Sequence, residues 1–270
     1  MENNEAEQLV KEFKEIPPMP NVMMKALEVI RNPYTGIQEL ATIMSVDQAI
    51  SAKTLSLVNS AYYGFRQQIT SINKAVVLLG MMKAKNIIMS LAMRQMMTTQ
   101  GSRELWEHSI RCAIASEYLA AQFKFINPDD AFVIGFLHDI GKILLAQKDA
   151  AKYSKVKYIA QQNNQSLIEL ENTFFQANHC ELGALVAKKW QLPVILINCI
   201  KYHHNPSLSS LPAACGIVYI ADRLVQAQVG DEILEPEIME RLPMRISDPV
   251  GLREQLISKT NIFLKEISAN

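Results

Sequence analysis

Apolar residues along this chain recur every three to four positions, the spacing of one buried helical face. No stretch alternates with the period of two expected of a half-buried strand. The pattern predicts helices at about Asn21–Arg31, Gly36–Met44, Gln48–Ser60 and Ser71–Thr98, punctuated by Asn32-Pro33 and Tyr63-Gly64. The proline-dense segment Ile16 to Pro20 is expected to run extended before the first of them. A polar break from Thr98 to Ser102 separates a second set, which begins with a helix at about Arg103–Phe123. Asn127-Pro128 is a helix start with proline at the first helical position, and that helix is expected to reach about Gln147. Residues 148–170 read as more polar helix. Asn178 and Glu181 fit a capping-box-like start for a helix ending near Trp190. Leu192-Pro193 opens another that stops before Asn205-Pro206, a further helix covers about Pro212–Gln228, and an amphipathic helix at about Gly251–Ser268 closes the chain. The expected class is all-α. The expected organisation is a polar lead-in (1–15), an amino-terminal helical subdomain (16–100), a second helical subdomain (101–230) and a carboxy-terminal extension (231–270).

Charge and cysteine usage narrow the picture. Lys+Arg and Asp+Glu balance at 27 each, so the basic excess that lets a protein displace counterions from phosphates is absent. This argues against a general nucleic-acid binder. The polar, acidic amino terminus is not a signal peptide, and apolar runs such as AFVIGFLHDIGKILLA are cut by charge. The expectation is a cytoplasmic protein with no membrane association. Cys112, Cys180, Cys199 and Cys215 form no CxxC pair, and three lie in apolar helical patterns, so they are expected to be reduced core residues.

The candidate chemistry lies in the second half, which holds all five histidines. His108 shares a helical face with Leu105, Cys112, Ala115 and Leu119, where a lone imidazole is as a rule a satisfied core residue. His179 reads equally as a first-turn helix residue, and His203-His204 as a polar helix end. Asp139 is harder to dismiss. It follows His138 inside FVIGFLHDIGKILL, and a carboxylate there must leave water, which is costly without a cation or several donors. Asp222, in IVYIADRL, poses the same problem. Two buried carboxylates and several inward imidazoles have one economical common partner, a divalent metal. Mixed imidazole and carboxylate donors suit Fe, Mn, Zn or Co better than Ca or Mg. Adjacent helical residues point about 100° apart, so His203 and His204 are not expected to face one point equally.

The segment HDIGK, His138 to Lys142, resembles the HD superfamily of metal-dependent phosphohydrolases. The chain is more closely similar to the HDOD (HD-related output domain) family over roughly residues 14–230. In its amino-terminal part the likeness is carried by IPPMPNVMMKALEVI, SVDQAISAKTLSLVNSAYYG and ITSINKAVVLLGM. In its later part it is carried by LWEHSIRCAIAS, PDDAFVIGFLHDIGK, HCELGALVAKKWQLP and IKYHHNP, all in family order. The resemblance implies an HD-domain-like helical core packed against an amino-terminal helical bundle. It also implies a bacterial signal-transduction output or adaptor role without established catalysis, taking its input from a protein partner. The ligand order of the related HD-GYP phosphodiesterases is matched by His108, His138-Asp139, His179, His203-His204 and Asp222. The implied cofactor is one or two divalent ions (Fe, Mn or Zn), with Asp139 as bridge. The alternative is a metal-dependent phosphohydrolase acting on a nucleotide or cyclic dinucleotide, in which Lys142 would steady a phosphate oxygen or leaving group. Against that reading, HHNPSLSSLP lacks the glycine and tyrosine of the phosphodiesterases' GYP segment. A nucleotide thus remains a candidate ligand as well as a candidate substrate. The closing helix has two readings, packing on the body or pairing with a second copy as a homodimer.

Overall fold

The computed structural model describes residues 18–31, 36–60, 63–96, 102–226 and 234–268. The polar lead-in, Ile16-Pro17, Asn32-Pro33, the break at 98–101, and the expected helix end and tail start at 227–233 lie outside these. Every regular element among the described residues is helical, and none is a strand.

The described residues fall into two compact units, one drawn from residues 102–254 and the other from residues 19–96 with 255–268. In the latter, α1 (Asn21–Arg31), α2 (Ile37–Val46) and α3 (Gln48–Val58) each pack on the long α4 (Ile72–Met96). Asp47 starts α3 by accepting the Ile50 N–H at 3.0 Å. Asn59 ends it and pins the following loop, exchanging hydrogen bonds of 2.7 and 2.8 Å with the Ile69 backbone. Gly80 sits at φ 77°, ψ 161°, a region open essentially to glycine alone, so α4 is two helical pieces joined at a kink. By length and composition its stretch Ile72–Arg94 could cross a membrane, yet 61% of the apolar window is buried inside the protein, as in a core helix.

The other unit contains α5 (Ser102–Phe123), α6 (Pro128–Leu137), α7 (Gly141–Lys148), α8 (Ala150–Asn163), α9 (Leu167–Phe175), α10 (His179–Lys189), α11 (Val194–Tyr202) and α12 (Pro212–Val225). Short α13 (Pro236–Glu240) follows. The closing helix α14 (Pro249–Ser268) groups with the amino-terminal unit from Gln255 onward. Two departures from the sequence reading stand out. The helix expected from Pro128 to Gln147 is two helices, because residues 138–140 form tight turns in which Ile140 N bonds Leu137 O and Lys142 N bonds Asp139 O. Residues 148–170 likewise divide, since Asn164 adopts the left-handed conformation and ends α8. All four cysteines are free and buried, as expected of reduced core residues.

Candidate metal centre

Two absent side chains explain why the histidines meet. A Cβ on Gly135 would lie 2.8 Å from the Cys112 carbonyl oxygen, so glycine lets α6 lie directly on α5, which carries His108. A Cβ on Gly141 would strike the carbonyl oxygen of His179 and stand 2.7 Å from Gly183 N. The glycine of HDIGK therefore lets α7 touch α10, and Asp139 Oδ1 comes within 3.5 Å of His179 Nε2.

The site fills from helix ends. His138 caps the carboxyl end of α6, and its Nδ1–H donates to Gly135 O at 2.7 Å. His203 caps α11 in the same way, its Nδ1–H donating to Ile200 O at 2.8 Å. In each case the carbonyl three residues back is one that the helix terminus leaves without an intrahelical partner. Because a carbonyl can only accept, Nδ1 carries the proton and Nε2 turns into the site. His179 is the first residue of α10, behind Asn178, whose side chain accepts from Glu181 N at 3.0 Å. Its Nδ1 donates to Glu171 Oε2 at 2.6 Å, so its Nε2 also faces inward.

Seven residues converge. His108 Nε2 stands 3.4 Å from His138 Nε2, 3.0 Å from Asp222 Oδ1 and 3.5 Å from Asp139 Oδ2. Asp139 Oδ2 lies 3.3 Å from His138 Nε2, while Oδ1 lies 3.7 Å from His203 Nε2. His204 Nε2 is 3.0 Å from His179 Nε2. All seven ligand candidates read from the sequence are thus brought together. His203 and His204 both reach the cluster, from different directions, at the end of α11 where the regular helical spacing stops. Cys180 Sγ approaches His203 at Nδ1, 4.0 Å away, on the side of the ring turned from Asp139.

Lys142 reaches the same centre: its ammonium lies 2.6 Å from Asp139 Oδ2 and neutralises the central carboxylate. Glu171, buried on the apolar face of α9, was not read from the sequence as a site residue. The available signal was a lone carboxylate one helical turn from both Leu167 and Phe175.

The electrostatics show what the cradle lacks. Burial alone would raise the Asp139 carboxyl, but His138 and then Lys142 overrule it and hold it well below the usual carboxylate range. Burial would lower His138, yet Asp139 raises it well above an ordinary imidazole. Burial and then the neighbouring His204 keep His203 well below its usual value, and burial with His179 lowers His204 to about 3. In the metal-free protein, protons and Lys142 supply the countercharge. Even so, Asp139 Oδ1, Asp222 Oδ1 and His203 Nε2 are buried without an aligned hydrogen-bond partner. Buried polar atoms are rarely left so. Asp222 Oδ1 lies on the His108 side of the cradle and Asp139 Oδ1 beside His203 Nε2 on the other, and the donor sets His108/His138/Asp222 and His138/Asp139/His203 each lie within 4.8 Å. These orphaned atoms and the mixed N/O donors fit a divalent transition metal.

The profile of the HDOD domain family matches residues 16–206. A Treponema pallidum protein of uncharacterised function is 28% identical over 198 residues, which are 71% of this chain but only 38% of that protein's length. Among solved structures, an HDOD domain protein of unknown function from Geobacter sulfurreducens superposes with a TM-score of 0.77 at 24% identity, covering 96% of this chain and 95% of its own. A Shewanella amazonensis protein whose name proposes a phosphohydrolase superposes with a TM-score of 0.74 at 22% identity, covering 97% and 98%. These superpositions establish the helical fold. With the family profile spanning most of the sequence and the histidine/aspartate cradle assembled, this chain belongs to the HDOD domain family.

Proposed function

We propose that this chain is a non-catalytic signal-transduction output or adaptor module of the HDOD type, whose HD-like pocket holds a divalent transition metal for structure or regulation. The observation that carries this reading is closure. His138 and His179 are fully buried, and Asp139, His203 and Asp222 are 1%, 1% and 4% exposed. Lys142, the residue a phosphohydrolase would turn toward a phosphate, is instead paired with Asp139. A centre so enclosed suits a metal that fixes the ends of α6, α10 and α11 relative to one another, and the input comes from a cytoplasmic protein partner. In this reading the metal's chemistry is charge neutralisation, held by His108, His138, Asp139, His179, His203, His204 and Asp222.

A second reading, a metal-dependent phosphohydrolase acting on a nucleotide or cyclic dinucleotide, draws on the complete donor set. It draws also on the partly exposed rim, where the His108 and Lys142 side chains are 23% and 19% accessible. The metal would there supply Lewis acidity and an activated water. The deciding experiment loads the purified protein with Fe, Mn or Zn and assays cyclic dinucleotides, nucleotides and phosphodiesters. The adaptor reading predicts no turnover above that of Asp139→Ala. Robust hydrolysis that Asp139→Ala abolishes would replace it with the phosphohydrolase reading.

A further inference from the structure

Glu171 and Tyr153 lie outside the ligand set, and their arrangement has a specific purpose. His138 and His203 sit at helix carboxyl ends, where their own helices offer a carbonyl to fix Nδ1. His179 sits at a helix amino end, where the nearby backbone groups are donors, so nothing in its own helix can orient its ring. The acceptor has to come from elsewhere, and Glu171 of α9 supplies it. Glu171 Oε2 accepts from both His179 Nδ1 (2.6 Å) and the His179 backbone N–H (2.9 Å). The second of these bonds satisfies one of the donors that the start of α10 leaves open, so one carboxylate oxygen holds both the ring and the backbone of the same residue.

The carboxylate is itself held. Its other oxygen accepts from the Tyr153 hydroxyl at 2.9 Å, and Tyr153, from α8, is 3% exposed. The tyrosine ring meets Phe175 edge-on, with centroids 5.9 Å apart. Glu171 is fully buried, and a carboxylate there is tolerated because it receives three hydrogen bonds, two of them from His179. His179 directs its other nitrogen at His204 Nε2, 3.0 Å away, and at Asp139 Oδ1, 3.5 Å away.

Resting on the metal-centre reading above, we propose that Tyr153 and Glu171 are a positioning pair that aims His179 at the metal. They serve the half of the cradle formed by His179, His203 and His204, and not the half formed by His108 and Asp222. Carboxylates behind ligating imidazoles fix ring orientation and raise ligand basicity, and their loss typically lowers metal affinity about 10–100-fold.

The test is a zinc titration against a chromophoric chelator, on the full chain, for wild type, Glu171→Gln, Tyr153→Phe and Leu57→Ala, with metal-free melting temperatures recorded alongside. Glu171→Gln is expected to weaken zinc about 10–100-fold, and Tyr153→Phe to weaken it less in the same direction. Leu57→Ala, in the other unit, is expected to lower the melting temperature without moving the affinity. Should Glu171→Gln not fold, Tyr153→Phe carries the test, since it removes one hydroxyl and leaves the ring. Unchanged zinc affinity in both site variants, with wild type binding normally, would overturn this proposal alone. Wild-type protein that binds no zinc, iron or manganese would overturn the metal-centre reading and this proposal with it.

Discussion

The two units bury different kinds of atoms. The unit drawn from residues 19–96 and 255–268 has an apolar interior whose buried polar residues are Thr54, Lys85, Asn86, Ser90 and Thr260. The unit of residues 102–254 buries His138, Asp139, Glu171, His179, His203 and Asp222, most of them within reach of one another. An interior of the first kind is stabilised by volume and apolar area, and it responds mainly to cavities. An interior of the second kind responds to ionisation, because each charge is tolerable only while its partners remain. The proposed metal centre lies in that second interior, where most of the buried ionisable groups are concentrated.

The largest expected effect tests this contrast at its centre. Asp139→Ala removes the carboxylate shared by His138, Lys142, His179 and His203. Breaking a buried pair in this way costs about 3–5 kcal/mol, read as a shift in the denaturant midpoint of the metal-free protein, and metal binding should be lost altogether. Leu57→Ala is the counterpart in the apolar interior. A fully buried leucine cut to alanine costs about 2–5 kcal/mol, yet equilibrium dialysis should return an unchanged metal affinity. Gly141→Ala sharpens the comparison from the backbone side. Its methyl group meets the His179 carbonyl, so α7 and α10 must separate, at about 1–3 kcal/mol, and metal affinity should fall with stability.

The most gradual effect is in pH. His203 and His204 are held below the ordinary imidazole value, His204 at about 3. The unfolded chain therefore binds their protons first as pH falls below about 6.5. Stability of the metal-free protein should decline from there toward pH 3, by up to about 1.4 kcal/mol per pH unit for each group. His138 moves the opposite way. Its raised value contributes stability that is fully present below about 6.5 and lost only as pH rises through the folded value, so it does not mask the acid decline. Urea unfolding at pH 7, 6 and 5 measures this, and His204→Ala should flatten the slope.

Much of the centre was legible in the sequence because its residues break a local rule. Asp139 and Asp222 are charges in apolar runs, and the chemistry they demand is readable without a structure. The helical class and most boundaries followed from periodicity in the same way. What escaped notice obeyed the local pattern or depended on distant contacts. Apolar residues keep helical spacing on both sides of His138-Asp139, so the turn at 138–140 leaves no trace in the periodicity. It is the approach of α7 to His179 that makes Gly141 necessary. The kink at Gly80 sits in an equally continuous run. Glu171 resembles any helix-face glutamate until α8 and α10 close around it, and the carboxy-terminal helix gave no sign that it belongs with the amino-terminal unit.

The most direct measurement is the metal content of the purified protein by elemental mass spectrometry, beside His138→Ala/Asp139→Ala. One or two equivalents of Fe, Mn or Zn in the wild type, absent from the double variant, are the predicted result. No bound metal after reconstitution with all three ions would contradict the account and leave the histidines and aspartates as a purely structural network.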